Sequence, residues 1–355
     1  MLKPYHDILR TLGIFVAIIF LFATGFLVFL SATEFTPSPK QEPAFGGKGK
    51  PMDPAQREFS FLTWNIGYAG LGKEMDFFYD GGKQVGPLKE QCTKYFDGIK
   101  NILLHHDTCD FIFLQEVDIH SKRSWYVNEF ELLANLLPGF FNVFASNYDC
   151  RFVPVPINDP MGRVVSGIAG FMRPEPVGIE IHYFDSKVPW PKRLVFLKRC
   201  YLLIRFGLDS GKELVILNLH NSAYDFTGVL RKNEITTLDS VMKAEYRQGN
   251  YIIAGGDWNN NPRGFDVSTI SSGNAVFPVE PPIDPSIVPG WPFVFDPSAP
   301  TNRNVDMPYI KGVTLTTIID FFVVSPNVEI KRVMTIPTEF AYSDHQPVLV
   351  KVRLR

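Results

Sequence analysis

Ile252-Ile253-Ala254-Gly255-Gly256-Asp257-Trp258-Asn259-Asn260 constrains this chain more than any other stretch. An apolar run ends in two glycines, and Asp257 and Asn259 follow with one residue between them. The run reads as a buried strand that delivers polar side chains to its C-terminal rim. Residues two apart in an extended chain point to the same side, so the carboxylate and the amide can face one pocket. That pairing suits a phosphate ester. A carboxylate can activate water or hold a metal, and an amide can donate to a phosphate oxygen. The same nine residues also fit a strand that stops in an Asp/Asn turn.

The pattern recurs along the chain. Phe59–Trp64 alternates and ends at Asn65; Phe111–Leu114 ends at Gln115-Glu116; Leu214–Leu219 ends at His220; Ile318–Val324 carries Asp320; Ser343-Asp344-His345 precedes the apolar run Val348–Leu354. Further strands are expected at 140–145, 167–172, 179–184, 200–206 and 328–335, and helices at 88–106, 126–137 and 229–247. His105 and His106 fall where a helix C-terminus favours them, rather than at metal-ligand spacing. Three irregular segments should shape the rim: the glycine-rich loop Tyr68–Pro87 with its aromatic Phe77-Phe78-Tyr79, the segment Asn147–Pro156, and the Pro-rich excursion Phe265–Val313. Two layered sheets covered by helices fit this order better than a regular βα alternation.

The N-terminus is different in kind. Thr11–Thr33 contains no charged residue and is long enough to cross a bilayer as a helix. An uncleaved signal anchor is preferred over a removed signal peptide, because no small-x-small site with good flanks follows the run. The organisation expected is a cytoplasmic tail 1–10, a transmembrane segment 11–33, a flexible Pro/Gly tether 34–57 and a catalytic domain 58–355 outside the cytoplasm. Lys3 and Arg10 precede the span, but Lys40, Lys48 and Lys50 follow it, so charge sets the orientation weakly. A net charge of −2 excludes a strongly basic overall field of the kind that advertises nucleic-acid binding. Cys92, Cys109, Cys150 and Cys200 lack zinc-ligand spacing and read as buried thiols or one or two disulfides.

Asn65, Glu116, His220, Asp257, Asn259, Asp320, Asp344 and His345 can together supply every role in phosphoester hydrolysis. Hard carboxylate oxygens hold Mg²⁺ or Mn²⁺, a carboxylate orients water, and histidines donate to phosphate. The motifs Trp64-Asn65-Ile66, Leu114-Gln115-Glu116-Val117-Asp118, Leu217-Asn218-Leu219-His220, Gly256-Asp257-Trp258-Asn259, Ile319-Asp320-Phe321 and Ser343-Asp344-His345-Gln346-Pro347-Val348 resemble, in order, those of the endonuclease/exonuclease/phosphatase superfamily. The resemblance covers essentially all of 58–355. It implies a four-layer α/β sandwich of two mostly antiparallel sheets with helices outside. It also implies that Glu116 binds the metal with Asn65 beside it, and that Asp344 is a further carboxylate that binds the metal or stands behind its ligands. Asp257 would activate the attacking water, and Asn259 would touch the scissile phosphate. His220 would stabilise the phosphate, and His345 would act on it, oriented by Asp320.

The gap from Asn65 to Glu116 is longer than in compact members of that group. Arg303 and Tyr148, in the rim segments, are candidate substrate contacts; Arg303 fits a structural ion pair equally well. The expected activity is a membrane-anchored, Mg²⁺- or Mn²⁺-dependent phosphodiesterase. A lipid headgroup is ranked ahead of DNA or RNA, small phosphodiesters stay open, and no obligate protein partner is expected. The competing reading is a non-catalytic binding module that kept the fold.

Overall fold

The computed structural model of the protein describes residues 3–225, 227–266 and 281–355. Helix α1 spans Lys3–Ala32. Strand β1 (Glu58–Asn65), helix α2 (Lys89–His105), β2 (Phe111–Asp118) and α3 (Glu129–Leu136) follow. Next come β3 (Phe141–Val153), β4 (Gly162–Met172), β5 (Gly178–Tyr183), β6 (Cys200–Gly207) and β7 (Glu213–His220). The chain finishes with α4 (Val229–Arg247), β8 (Tyr251–Asp257), β9 (Asp320–Val324), β10 (Val328–Thr335) and β11 (Val348–Leu354).

Two sheets of seven strands result. One runs β5-β6-β7-β8-β9, edged by Lys40–Gln41 and Phe293–Val294; the other runs β10-β11-β1-β2-β4-β3, edged by Phe45–Gly46. Each sheet holds one parallel pair, β7/β8 and β1/β2, among antiparallel neighbours. The parallel pairs bring four C-terminal strand ends (Asn65, Glu116, His220 and Asp257) to one end of the molecule.

Side-chain alternation builds the layers. Phe61, Phe113, Ile216, Ile253 and Phe322 fill the space between the sheets. On the outer face of one sheet, Leu62, Trp64 and Ile112 pack against Tyr95, Ile99 and Leu103 of α2 and Leu133 of α3. On the outer face of the other, Leu217, Ile252 and Ala254 pack against Ile235, Leu238 and Met242 of α4. The result is the helix–sheet–sheet–helix sandwich that the strand pattern implied. All four cysteines are free and buried, which settles the thiol alternative.

Three expectations need correction. Asn147–Pro156 is not irregular throughout: β3 runs on to Val153, and register slips at Ser146/Tyr148 and Cys150/Val153 absorb the residues that break its alternation. Helix α3 starts at Glu129, not at 126, because Trp125 and Tyr126 both take left-handed φ (58° and 59°); Asn128 then caps it, accepting from Glu131 N at 3.2 Å. Segment 34–57, expected as a flexible tether, lies along the domain. Lys40–Gln41 pairs with β5, Phe45–Gly46 pairs with β3, and Lys50 N donates to Arg173 O. Of the excursion 265–313, residues 267–280 lie outside the described residues.

Among the described residues, one helix is long and apolar enough to cross a membrane, and it is α1. Residues 6–25 are exposed, while Leu30 is buried against the domain.

Candidate active site

Backbone geometry sets the site. Gly256 takes a φ of 144°, and a Cβ there would lie 2.0 Å from Leu219 O, so only glycine lets β8 close on β7. Asp257 follows and shares one rung of the sheet with His220 of β7 and Asp320 of β9. On the other sheet the β2/β4 register slips between Leu114 and Val117. Glu116 sits in that bulge at a φ of 53°, and its half-buried side chain is turned to the rim. Beyond the bulge, Asp118 holds Arg123 through two hydrogen bonds of 2.9 and 3.0 Å, and that guanidinium lies 3.6 Å over the Tyr68 ring. The 343–345 segment is pinned to the end of β1. Ser343 Oγ donates to Asn65 O at 2.8 Å, and Trp64 Nε1 donates to His345 O at 2.9 Å.

These placements converge. Asn65 Nδ2 donates to Asp257 Oδ2 at 3.0 Å and lies 3.4 Å from Glu116 Oε1. His220 Nε2 is 3.3 Å from Asp257 Oδ2 and 3.8 Å from Glu116 Oε1. His345 Nδ1 meets Asp320 Oδ2 at 2.8 Å, and its Nε2 lies 3.8 Å from Asp257 Oδ2 and 4.0 Å from Asp344 Oδ2. The Asn302 carboxamide is 3.0 Å from that Nε2. Asn259 N donates to Asp257 Oδ1 at 2.9 Å, so Asn65 and Asn259 hold the two oxygens of one carboxylate.

Burial and neighbouring charge divide the titrating groups. Burial pushes Asp257 up to about 6; His345 and the hydrogen bonds from Asn65 and Asn259 pull it down, and Asp320 pushes it further up. Burial, with repulsion from Glu116, raises Asp344 to about 7. Burial alone would lower both histidines. For His220 the charges of Arg199, His345 and Arg123 add to it, and the imidazole is held well below its usual value. For His345 the carboxylates of Asp320, Asp344 and Asp257 outweigh burial and hold it well above. One imidazole is thus pushed toward its neutral form and its neighbour toward its charged form.

Four carboxylates therefore converge on few cations, the donor set of a hard divalent ion. The ligand atoms of Asp257, Asp320 and His345 lie within 4.8 Å of one another. One Asp320 oxygen is already engaged by His345, however, and that residue is wholly buried, whereas Glu116 is partly open to solvent.

Of the ten residues expected from sequence, eight meet here. Arg303 does not. It is 1% exposed, and its guanidinium donates to the carbonyls of Leu71, Gly72, Met75, Asn304 and Met307, tying the 71–75 loop to the excursion. Tyr148 does not either: its buried hydroxyl donates to Val195 O at 2.9 Å. The Asn259 amide gives one hydrogen to Asn221 O. The sequence reading missed Arg199. It is 5% exposed, lies within electrostatic reach of Glu116, Glu234 and Asp257, and its guanidinium makes no hydrogen bond or ion pair among the described residues. Its signal was slight, an arginine leading directly into the apolar strand β6.

No protein-family model matches this chain, and no curated protein matches it. Solved structures do. An endonuclease/exonuclease/phosphatase from Beutenbergia cavernae DSM 12333 superposes with a TM-score of 0.56 at 17% identity, over 84% of this chain and 72% of that one. The human Nocturnin catalytic domain with bound sulfate anion gives 0.53 at 14%, over 88% and 97%. An endonuclease/exonuclease/phosphatase from Bacteroides vulgatus gives 0.50 at 16%, over 84% and 100%. The convergence of six motifs on one end of a double sheet thus stands on a scaffold already known, and this chain has the fold of the endonuclease/exonuclease/phosphatase proteins.

Proposed function

We propose that the protein is a membrane-anchored, divalent-metal-dependent phosphodiesterase. One observation carries the reading: Asn65, Glu116, His220, Asp257, Asp320 and His345, which come from separate motifs, meet within hydrogen-bonding or ion-pair distance at one end of the double sheet. A degenerate binding module would have no use for so many mutually repelling carboxylates.

Glu116, with Asn65 and Asp344, would hold Mg²⁺ or Mn²⁺, which neutralises charge growing on the phosphoryl oxygens. The chain's own residues do the rest. Asp257 takes the proton of the attacking water, aimed by Asn65 Nδ2 and Asn259 N; a value near 6 leaves it mostly ionised at neutral pH. His345, kept charged by Asp320, donates to a phosphate oxygen. His220, kept neutral, offers a donor beside Asp257. The unpaired Arg199 guanidinium supplies a fork that matches a phosphate. A lipid headgroup is favoured over nucleic acid, because α1 supplies an anchor and net charge is −2.

The test uses the full chain in detergent micelles against bis-p-nitrophenyl phosphate, phosphatidylcholine, sphingomyelin, RNA and plasmid DNA. Turnover should require Mg²⁺, stop with EDTA, and fall by at least about a hundredfold in His345→Ala. Turnover indifferent to both EDTA and His345 would defeat the reading. Cleavage of plasmid DNA with lipids untouched would transfer it to the nucleases. The extracytoplasmic placement is checked separately by protease protection in intact cells.

A further inference from the structure

The foot of α1 and two loops meet at the end of the domain that carries the catalytic residues. Asp118, at the end of β2, pairs with Ser166 near the start of β4, and Val153 pairs with Gly162, so the 154–161 loop projects from the Glu116 end. Tyr201 pairs with Leu219 next to His220, and Tyr183 pairs with Cys200, so the 184–199 loop projects from the same end. Helix α1 arrives there too. Phe26 packs edge-on against Phe152 at 5.9 Å, and Glu34 binds Lys198 at 3.0 Å and Arg193 at 3.4 Å. Lys198 is the residue before Arg199.

Each loop carries one large apolar side chain in the open, among exposed polar neighbours that include Asp159, which pairs with Lys122, and Asp185. Ile157 is 92% exposed, and Trp190, between two prolines, is 55% exposed. Arg151 and Lys192 are exposed on the same rim. Aromatic and aliphatic tips beside basic side chains are the composition of a bilayer interface.

The length of α1 fixes the depth. A hydrocarbon core of about 30 Å takes about 20 helical residues. Counted from Thr11, where the charge-free run starts, it ends near Leu30. The helix already touches the domain at Phe26, about 6 Å sooner at 1.5 Å per residue. The Phe152 contact therefore falls within about 6 Å of the headgroup–acyl boundary, on its acyl side, and the loop tips beside it border the headgroups.

We propose that this end of the domain docks on the bilayer that α1 crosses, with Ile157 and Trp190 in the headgroup region, and that the substrate is a phosphodiester in the headgroup of a lipid of that membrane. The substrate half rests on the phosphodiesterase reading; the docking half does not. The site then faces its substrate without extracting it from the bilayer.

The full chain is reconstituted in phosphatidylcholine/phosphatidylglycerol vesicles and spin-labelled at Ile157→Cys, at Trp190→Cys or, in the turn at the opposite end, at Ser210→Cys. The four native cysteines are buried. Power saturation should place the first two labels within about 5–10 Å of the headgroup–acyl boundary and the third in water. Equal water access at all three overturns the docking. Ile157→Asp combined with Trp190→Asp should lower headgroup release from the vesicles roughly tenfold or more, the effect of removing an apolar side chain from a buried position. Turnover of bis-p-nitrophenyl phosphate should be unchanged. Equal loss on both substrates, or no loss on vesicles, overturns the proposal. A wild-type chain that cleaves the soluble diester but no vesicle lipid overturns its substrate half. Failure on the soluble diester itself sinks the phosphodiesterase reading instead, and the label depths still decide the docking.

Discussion

Asp257 is held by two amides at the end of the double sheet. The hydrogen bond from Asn65 lowers its pKa, against burial that raises it to about 6. Asn65→Ala removes a lowering influence, so Asp257 should hold its proton to higher pH. The acid limb of kcat/KM for a soluble diester should move upward, and an unmoved limb would show that another group titrates there. Arg199→Ala should cost roughly a hundredfold or more in kcat/KM, while Arg199→Lys, which keeps the charge but loses the fork, should recover only part of it. Full activity in Arg199→Ala would show that its charge serves the fold alone. The candidate site side chains were legible in the sequence because each borders or interrupts an apolar run. Arg199 and Asn302 were not, since nothing in one dimension tells a buried arginine from an exposed one.

The elements impose their own demands. Gly256→Ala places a methyl against Leu219 O and forces a φ that alanine avoids, at a cost of roughly 3 kcal/mol or more. A clear fall in Tm should follow, with β7 and β8 losing amide protection first in hydrogen exchange; an unchanged Tm would mean that the backbone relaxes at little cost. The glycine's role could be suspected from sequence, since it precedes Asp257. The bulge that turns Glu116 outward could not, because it exists only in the register between β2 and β4. Arg303 makes the same point in reverse. An arginine in a Pro-rich rim segment looks like a phosphate contact, yet it is spent on five backbone carbonyls.

In the whole molecule, the two sheets are joined through a buried polar bridge, Gln115 Nε2 to Asn218 Oδ1 at 2.8 Å, directly behind the site. An ion that discharges carboxylates lying across that junction should stabilise the complete domain. Mg²⁺ at a hundred times its dissociation constant should contribute about 2.7 kcal/mol, read as a rise in Tm over EDTA that Glu116→Gln abolishes. No rise in the wild-type chain would remove Glu116 from the metal assignment. Asp344, at about 7, adds a sign: the ion must displace its proton, so the Mg²⁺-induced rise should grow as pH increases through 7.

By itself the sequence determined most of the strands, their layered packing, the membrane-length helix and the eight polar residues that meet at one end, because hydrophobic period and the polar residues that border each run are local properties. Only the tertiary structure decided which histidine is pushed below its usual pKa and which above, that Arg199 is buried near Glu116 and Asp257, that parts of 34–57 edge both sheets, and that α1 leaves the domain beside the site. Each of these depends on burial, on strand register, or on the meeting of residues more than a hundred positions apart, and none of these is a property of a segment alone.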